Sequence, residues 1–196
     1  DASAPEMFTT AMQSADQMAA AVRAAGVIFC YAECWVYAPS IRKADSTLAQ
    51  SDNTILRIVA EESHSGTHSE YAKQWRHAGG GALFHKGCHP VGGVLHLKAS
   101  EGLRKYGKPV KPVSVVAQVA NLTEMESFKK EEPKYLQTGW VDCEDWGSMM
   151  VTFDDGSVAQ ITAADTVLGG ILNQMTIYSS KKVVQCNLSP NTGILT

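Results

Sequence analysis

His85 and His89 stand four residues apart in the stretch Gly79-Gly80-Gly81-Ala82-Leu83-Phe84-His85-Lys86-Gly87-Cys88-His89-Pro90. If the run after the glycines is helical, that spacing puts both imidazoles on one face, in line with Gly92 and His96. A stripe of imidazoles and a glycine is a poor core face and reads as the floor of a pocket. Three successive glycines permit a backbone approach that no other residue allows. An imidazole titrates near neutral pH, so His89 can take the proton of a substrate hydroxyl. His85 can orient His89 or touch the same substrate.

A second group of donors lies in the polar run Glu61-Glu62-Ser63-His64-Ser65-Gly66-Thr67-His68-Ser69. Glu62, His64 and His68, taken with Glu33, His85 and His89, are an uncommon density of possible ligands. Two His-x3-His spacings and a glutamate suit zinc or manganese in principle. Hydrogen bonding to a polyhydroxylated substrate needs the same donors and acceptors, so both uses stay open and no metal site is assigned. Glu33, Glu62, His64, His68 and Lys86 are grouped as substrate contacts. Trp35 and Tyr37 join them as aromatics that can stack on a sugar ring, or equally fill a core. Trp75, Trp140 and Trp146 read as packing residues.

The elements that must position these groups follow from periodicity. Ser14 to Ala25 is an alanine-rich helix with Ser14 as its cap and Gly26 as its stop, and Val27 to Ala32 is a buried strand. Pro39 opens a helix from Ser40 to Ala49, and Thr54 to Glu62 is a second strand. A short helix spans Tyr71 to Arg76. Pro90 should kink or divide the helix after the glycines, which fades near Glu101-Gly102. Val113 to Ala120 is a strand, and 121–138, with Lys129-Lys130-Glu131-Glu132-Pro133, is an exposed loop. Two hairpins follow, one around Asp154-Asp155-Gly156 and one around Ser180-Lys181. Small polar residues alternate with apolar ones along these strands. That pattern implies an α/β (α+β) fold, a sheet with one face under helices and the other open or meeting a partner.

The chain has 196 residues, 44% hydrophobic and 19% charged, with a formal net charge of −3. That suits a soluble globular protein of about one domain and gives no electrostatic footprint for nucleic acid. No apolar run is long enough to span a bilayer, and no signal peptide opens the chain. A cytoplasmic location is the expectation. The 5 cysteines include no Cys-x-x-Cys pair and read as buried free thiols, with Cys30 and Cys34 on one strand face. The chain reads as cut at both ends.

The order of motifs resembles the Gfo/Idh/MocA oxidoreductases. The resemblance is carried by Met18 to Gly26 followed by Val27-Ile28-Phe29, the Pro39 helix and Trp75 before Gly79-Gly80-Gly81-Ala82-Leu83. Gly87, His89-Pro90 and the Val151-Thr152-Phe153-Asp154-Asp155-Gly156 hairpin complete it. Such proteins join a Rossmann domain that binds NAD or NADP to a domain with a large, mostly antiparallel sheet. The resemblance implies that residues 1–34 are the last helix and strand of a dinucleotide-binding domain. Residues 35–196 would then be the substrate-binding and oligomerisation domain. No Gly-x-Gly-x-x-Gly occurs here, so NAD or NADP is implied for the parent protein and no cofactor for this chain by itself.

By the same resemblance His89 is the active-site histidine. His85 stands where the family has an aspartate, Gly92 replaces another, and Ala4-Pro5-Glu6 stands where a Glu-Lys-Pro motif would supply a lysine. The implied function is the substrate domain of an NAD(P)-dependent sugar, polyol or glycoside dehydrogenase, inactive by itself and forming a homo-oligomer through its open sheet face. The alternatives are a metal-assisted lyase, isomerase or epimerase on the same scaffold, and a self-associating domain without activity.

Overall fold

Alanines and unbranched side chains favour helix, and the N-terminal segment forms one, α1, over Ser3–Ala25. It begins well ahead of Ser14, which therefore lies inside the helix and does not cap it. The computed structural model describes residues 3–189, and the expected cut ends lie outside the described residues. The chain divides into two compact units, Asp1–Ala32 and Glu33–Thr196.

The strand expected at Val27 to Ala32 is absent: residues 27–32 carry no regular structure, and Val27, Ile28, Phe29 and Tyr31 are exposed. A β-branched run becomes a strand only where a neighbour supplies ladder partners. Among the described residues no strand of the sheet runs beside it. The cysteine expectation holds in part, since all five are free but only two are buried. Cys30, Cys34 and Cys88 are exposed, whereas Cys143 and Cys186 are buried. Burial pushes the Cys143 and Cys186 thiols up to about 11.

The second unit is one six-stranded sheet under helices. Its strands are β1 Ile55–Ser63, β2 Pro112–Ala120, β3 Trp146–Phe153, β4 Val158–Ala164, β5 Leu172–Ser179 and β6 Val183–Asn187. They lie in the order β2-β3-β4-β1-β5-β6. Every neighbouring pair is antiparallel except β1 with β4, which run parallel. That single parallel pair matters most for the site. It delivers the carboxyl ends of two central strands to one edge, with Ser63 opposite Ala164.

The register sorts the two faces. Ile58, Ala60, Ala159, Ile161, Met175 and Ile177 are buried on one face. The helices α2, Pro39–Gln50, and α5, Cys88–Tyr106, pack there. In α2 the buried residues Ile41, Ala44 and Leu48 recur at helical spacing. In α5 they are Pro90, Gly93, Val94, Leu97, Lys98, Glu101 and Gly102. The helix runs beyond Glu101 to Tyr106 because Glu101 is a fully buried anchor, not a frayed end. The opposite face carries Ser148, Met150, Gln160 and Thr162 around a shallow hollow of about 760 Å³.

The segment between β1 and α5 is built from short turns: 3-10 at Glu70–Lys73, α3 at Trp75–Ala78 and α4 at Ala82–His85. Pro90 neither kinks nor divides α5, because it sits in the first turn, where its missing N–H has no partner to lose. The break comes earlier, at Lys86-Gly87 between α4 and α5. Between β2 and β3 lie a 3-10 turn, Leu122–Glu124, and α6, Glu126–Lys129. The Lys129 to Pro133 stretch is exposed as expected. Trp140 is buried, whereas Trp146 lines the hollow of the open face. No helix among the described residues is long and apolar enough to cross a membrane.

Candidate active site

Because α4 and α5 are separate helices, His85 and His89 do not share one stripe. They occupy two adjoining neighbourhoods, joined through Lys86 and Glu62 at the carboxyl end of β1.

His89 sits in the first turn of α5, and its Nδ1 lies 2.7 Å from Glu33 Oε1. Glu33 is buried just before a 3-10 turn over Cys34–Tyr37. Its Oε1 accepts the N–H of Trp35 at 3.1 Å, and its Oε2 accepts that of Val36 at 3.2 Å. A carboxylate oxygen accepts and does not donate, so the imidazole proton belongs on Nδ1. This leaves Nε2 as the basic nitrogen of a side chain that is 31% exposed. Glu33, not His85, is the residue that orients His89.

Space for that carboxylate comes from α5. A Cβ on Gly92 would stand 2.7 Å from Glu33 Oε2 and 2.8 Å from its Cγ. The absence of a side chain at Gly92 is therefore a fit to Glu33. Trp35 is buried at 3% exposure, packed beside Gly93, so of its two possible roles it takes the core one. Tyr37 is 59% exposed. Glu62 continues the helix-facing row of Ile58 and Ala60 at the end of β1. Burial pushes its carboxyl up, opposed by the charges of His89 and Lys86 and by a hydrogen bond from Trp35. Cys34 places its Sγ 3.6 Å from Nδ1 of His89. Burial raises its thiol, with Glu33 and Glu62 adding to the effect.

The second neighbourhood centres on Lys86, 4% exposed at the side chain, whose Nζ meets the fully buried Asp165 Oδ1 at 2.6 Å and Thr67 Oγ1 at 3.2 Å. Asp165 follows β4 as His64 follows β1, and the His64 N–H donates to Ala164 O at 3.0 Å. The strand ends thus bring together residues about a hundred positions apart. Asp165 carried no motif in the sequence; its position after a small-residue strand was the only signal.

His85 and His64 both border this pair. Burial holds the His85 imidazole below its ordinary value, with the Lys86 charge adding to it, and the same two causes act on His64. His68 is exposed. Nε2 of His85 and Oδ2 of Asp165 are buried without a hydrogen-bond partner. A depressed histidine means that the unfolded chain binds more protons below its own value of about 6.5, so stability falls as the pH falls through that value. Melting temperature should therefore drop on acidification below about 6.5, and the drop should be smaller in a His64→Gln/His85→Gln variant. A double variant with the parent's profile would refute this assignment.

The glycine triplet forms the link between α3 and α4, and the atoms it admits are the protein's own. A Cβ on Gly81 would lie 2.0 Å from Glu144 O. That close backbone approach lets Glu144 O accept the Ala82 N–H at 2.9 Å. The Glu144 carboxylate takes those of Gly81 at 3.0 Å and Leu83 at 3.2 Å. The close backbone approach expected of the glycines is made to Glu144, in a packing role.

Comparison with known proteins adds the family context. The family model described as GFO/IDH/MocA C-terminal domain matches residues 52–185. No curated protein matches the chain in sequence. Among solved structures, GenD2 from gentamicin A biosynthesis, in complex with NAD, superposes with a TM-score of 0.68 and 22% identity, over 92% of this chain and 45% of that one. Aldose-aldose oxidoreductase from Caulobacter crescentus, complexed with glycerol, gives 0.67 and 18%, over 92% and 47%. Myo-inositol 2-dehydrogenase from Lactobacillus plantarum gives 0.65 and 16%, over 92% and 48%. The chain spans less than half the length of each. At these identities the likeness is one of fold.

Proposed function

The chain belongs to the GFO/IDH/MocA family through its C-terminal domain, and on that premise we propose that it binds the sugar, polyol or glycoside substrate of an NAD(P)-dependent oxidoreductase. Residues 1–34 then close the dinucleotide-binding domain, and 35–196 form the substrate domain. The observation that carries the reading is the Glu33–His89 pair at 2.7 Å, a carboxylate that fixes one tautomer and leaves Nε2 free.

A nicotinamide bound in such an enzyme would supply the hydride acceptor, and the residues of this chain would handle the proton. His89 Nε2 takes the proton from the hydroxyl oxygen as hydride leaves the carbon that bears it, and a carbonyl forms. Glu33, held by two backbone N–H groups, stabilises the imidazolium that forms. Glu62, Lys86, His64 and His85 offer hydrogen bonds of both senses to the remaining hydroxyls. His68 and Tyr37, both exposed, are assigned to the rim in this reading.

Calorimetric titration of the chain with a panel of polyols and aldoses tests the proposal. Binding of at least one polyol is expected, and Glu33→Gln and His89→Ala should weaken it about tenfold or more. A panel without a binder, or binding untouched by both variants, would overturn it. NAD or NADP added to the same samples should not be reduced, since no Gly-x-Gly-x-x-Gly is present in residues 1–196. We also read the open face, with Met150 and Val116 exposed beside Gln160 and Thr162, as a contact between copies of the chain. Light scattering showing a monomer at working concentration would count against that contact.

A further inference from the structure

The proton-transfer reading leaves one neighbour of His89 without a task. Cys34 follows Glu33 directly, and donor atoms of Glu33, Cys34 and His89 all lie within 4.8 Å of one another. They are one carboxylate oxygen, one thiol sulfur and one imidazole nitrogen. Glu33 is buried, His89 half-buried and Cys34 exposed, so the group is braced on one side and open to solvent on the other. We infer that Glu33, Cys34 and His89 form a binding site for zinc or a similar borderline-soft divalent metal.

Zinc binds sulfur at about 2.3 Å and nitrogen or oxygen at about 2.0–2.2 Å, in a tetrahedron. Donors around one ion then stand roughly 3.3–3.7 Å apart. The Cys34–His89 separation of 3.6 Å already meets that spacing. The Glu33–His89 separation of 2.7 Å has to widen by less than an ångström. Glu33 is preorganised, because its two oxygens are tied to the N–H groups of Trp35 and Val36. Glu62 is not among the donors within 4.8 Å of one another, so water would complete the tetrahedron on the solvent side. Mixed sulfur, nitrogen and oxygen donors select zinc or cobalt over magnesium or calcium.

A metal on Nδ1 replaces the hydrogen bond to Glu33 and removes the orientation that makes His89 a base. The metal-loaded and proton-transferring forms are therefore alternatives. The inference goes beyond the proton-transfer reading and does not depend on it.

The test titrates reduced, chelator-treated protein with Co²⁺ and Zn²⁺. One equivalent should bind, and the cobalt form should show a thiolate-to-metal charge-transfer band. Cys34→Ser, a near-isosteric change at an exposed position, should abolish the band and weaken zinc about a hundredfold. His89→Ala should weaken zinc as much, and His77→Ala, at an exposed position in α3, should leave it unchanged. Circular dichroism melting checks that each variant is folded. Absence of binding, binding without the band, or a band that survives Cys34→Ser would overturn the inference. Polyol binding by the metal-free protein is read separately, so failure here and failure of the carbohydrate proposal are told apart.

Discussion

Replacing Lys98 by methionine should lower the unfolding free energy by about 3–5 kcal/mol. Lys98 and Glu101 are each 1% exposed at the side chain and paired within α5, and Lys98 Nζ also meets Asp155 Oδ2 at 2.7 Å. Glu101 Oε1 accepts the N–H of Ile55 at 2.8 Å, at the start of β1. Asp155 Oδ1 accepts from the Ser157 backbone at 3.0 Å and hydroxyl at 2.6 Å, in the β3–β4 turn. One lysine thus ties a helix, a strand start and a hairpin turn. Methionine fills most of its volume but leaves two carboxylates facing one another without a cation.

Urea denaturation measures the loss. A melting point lower by roughly 6–20 °C should accompany it. Burial acts to raise the Asp155 carboxyl, but the hydrogen bonds from Lys98 and Ser157 prevail and hold it below its usual range. The stability it contributes is present above its unfolded value and is lost as the pH falls through its folded one. Lys98→Met should therefore flatten the acid limb of the stability profile. A loss under about 1 kcal/mol would show the network to be dispensable.

Gly92→Ala should disable the site while leaving the fold intact. Alanine is the better helix former by about 1 kcal/mol, so helix α5 by itself gains. The new Cβ, however, would stand 2.7 Å from Glu33 Oε2. That oxygen cannot swing away cheaply, because it accepts the Val36 N–H and its partner oxygen holds both the Trp35 N–H and His89. The carboxylate must shift, and His89 loses its tautomer lock.

On the proposed proton-transfer role, turnover of an oxidoreductase that includes this domain should fall by about 10²-fold, as for a misplacement of roughly 1 Å. Melting temperature should hold or rise slightly. Two-dimensional NMR of the imidazole resonances should show a changed tautomer ratio at His89. Unchanged turnover and an unchanged ratio would mean that Glu33 does not orient the base.

Both predictions involve residues that the sequence showed without their partners. Local patterns were read well: the Pro39 helix, the Thr54 to Glu62 strand and both late hairpins form where periodicity and turn chemistry place them. These depend on interactions a few residues long. The stretch Val27 to Ala32 has the composition of a strand and is none, since strand formation depends on a neighbour that composition does not reveal. His85 and His89 had the spacing of one helical face, but the turn at Lys86-Gly87 separates them. Glu101 stood where the helix was expected to fade, because charge suggests solvent unless a partner is known.

For the site, the sequence by itself determined the donors: the histidine pair after the glycines, the polar run after β1, and Glu33 ahead of an aromatic turn. Their family resemblance was also legible, in the order of short motifs. Only the tertiary structure decided the pairings. The parallel alignment of β1 and β4 brings Asp165 to Lys86, and the docking of α5 beside the Cys34–Tyr37 turn brings His89 to Glu33 and Cys34. The reason is physical. Residue type and local spacing fix what a side chain can do, whereas which partner it meets depends on long-range strand order and helix docking.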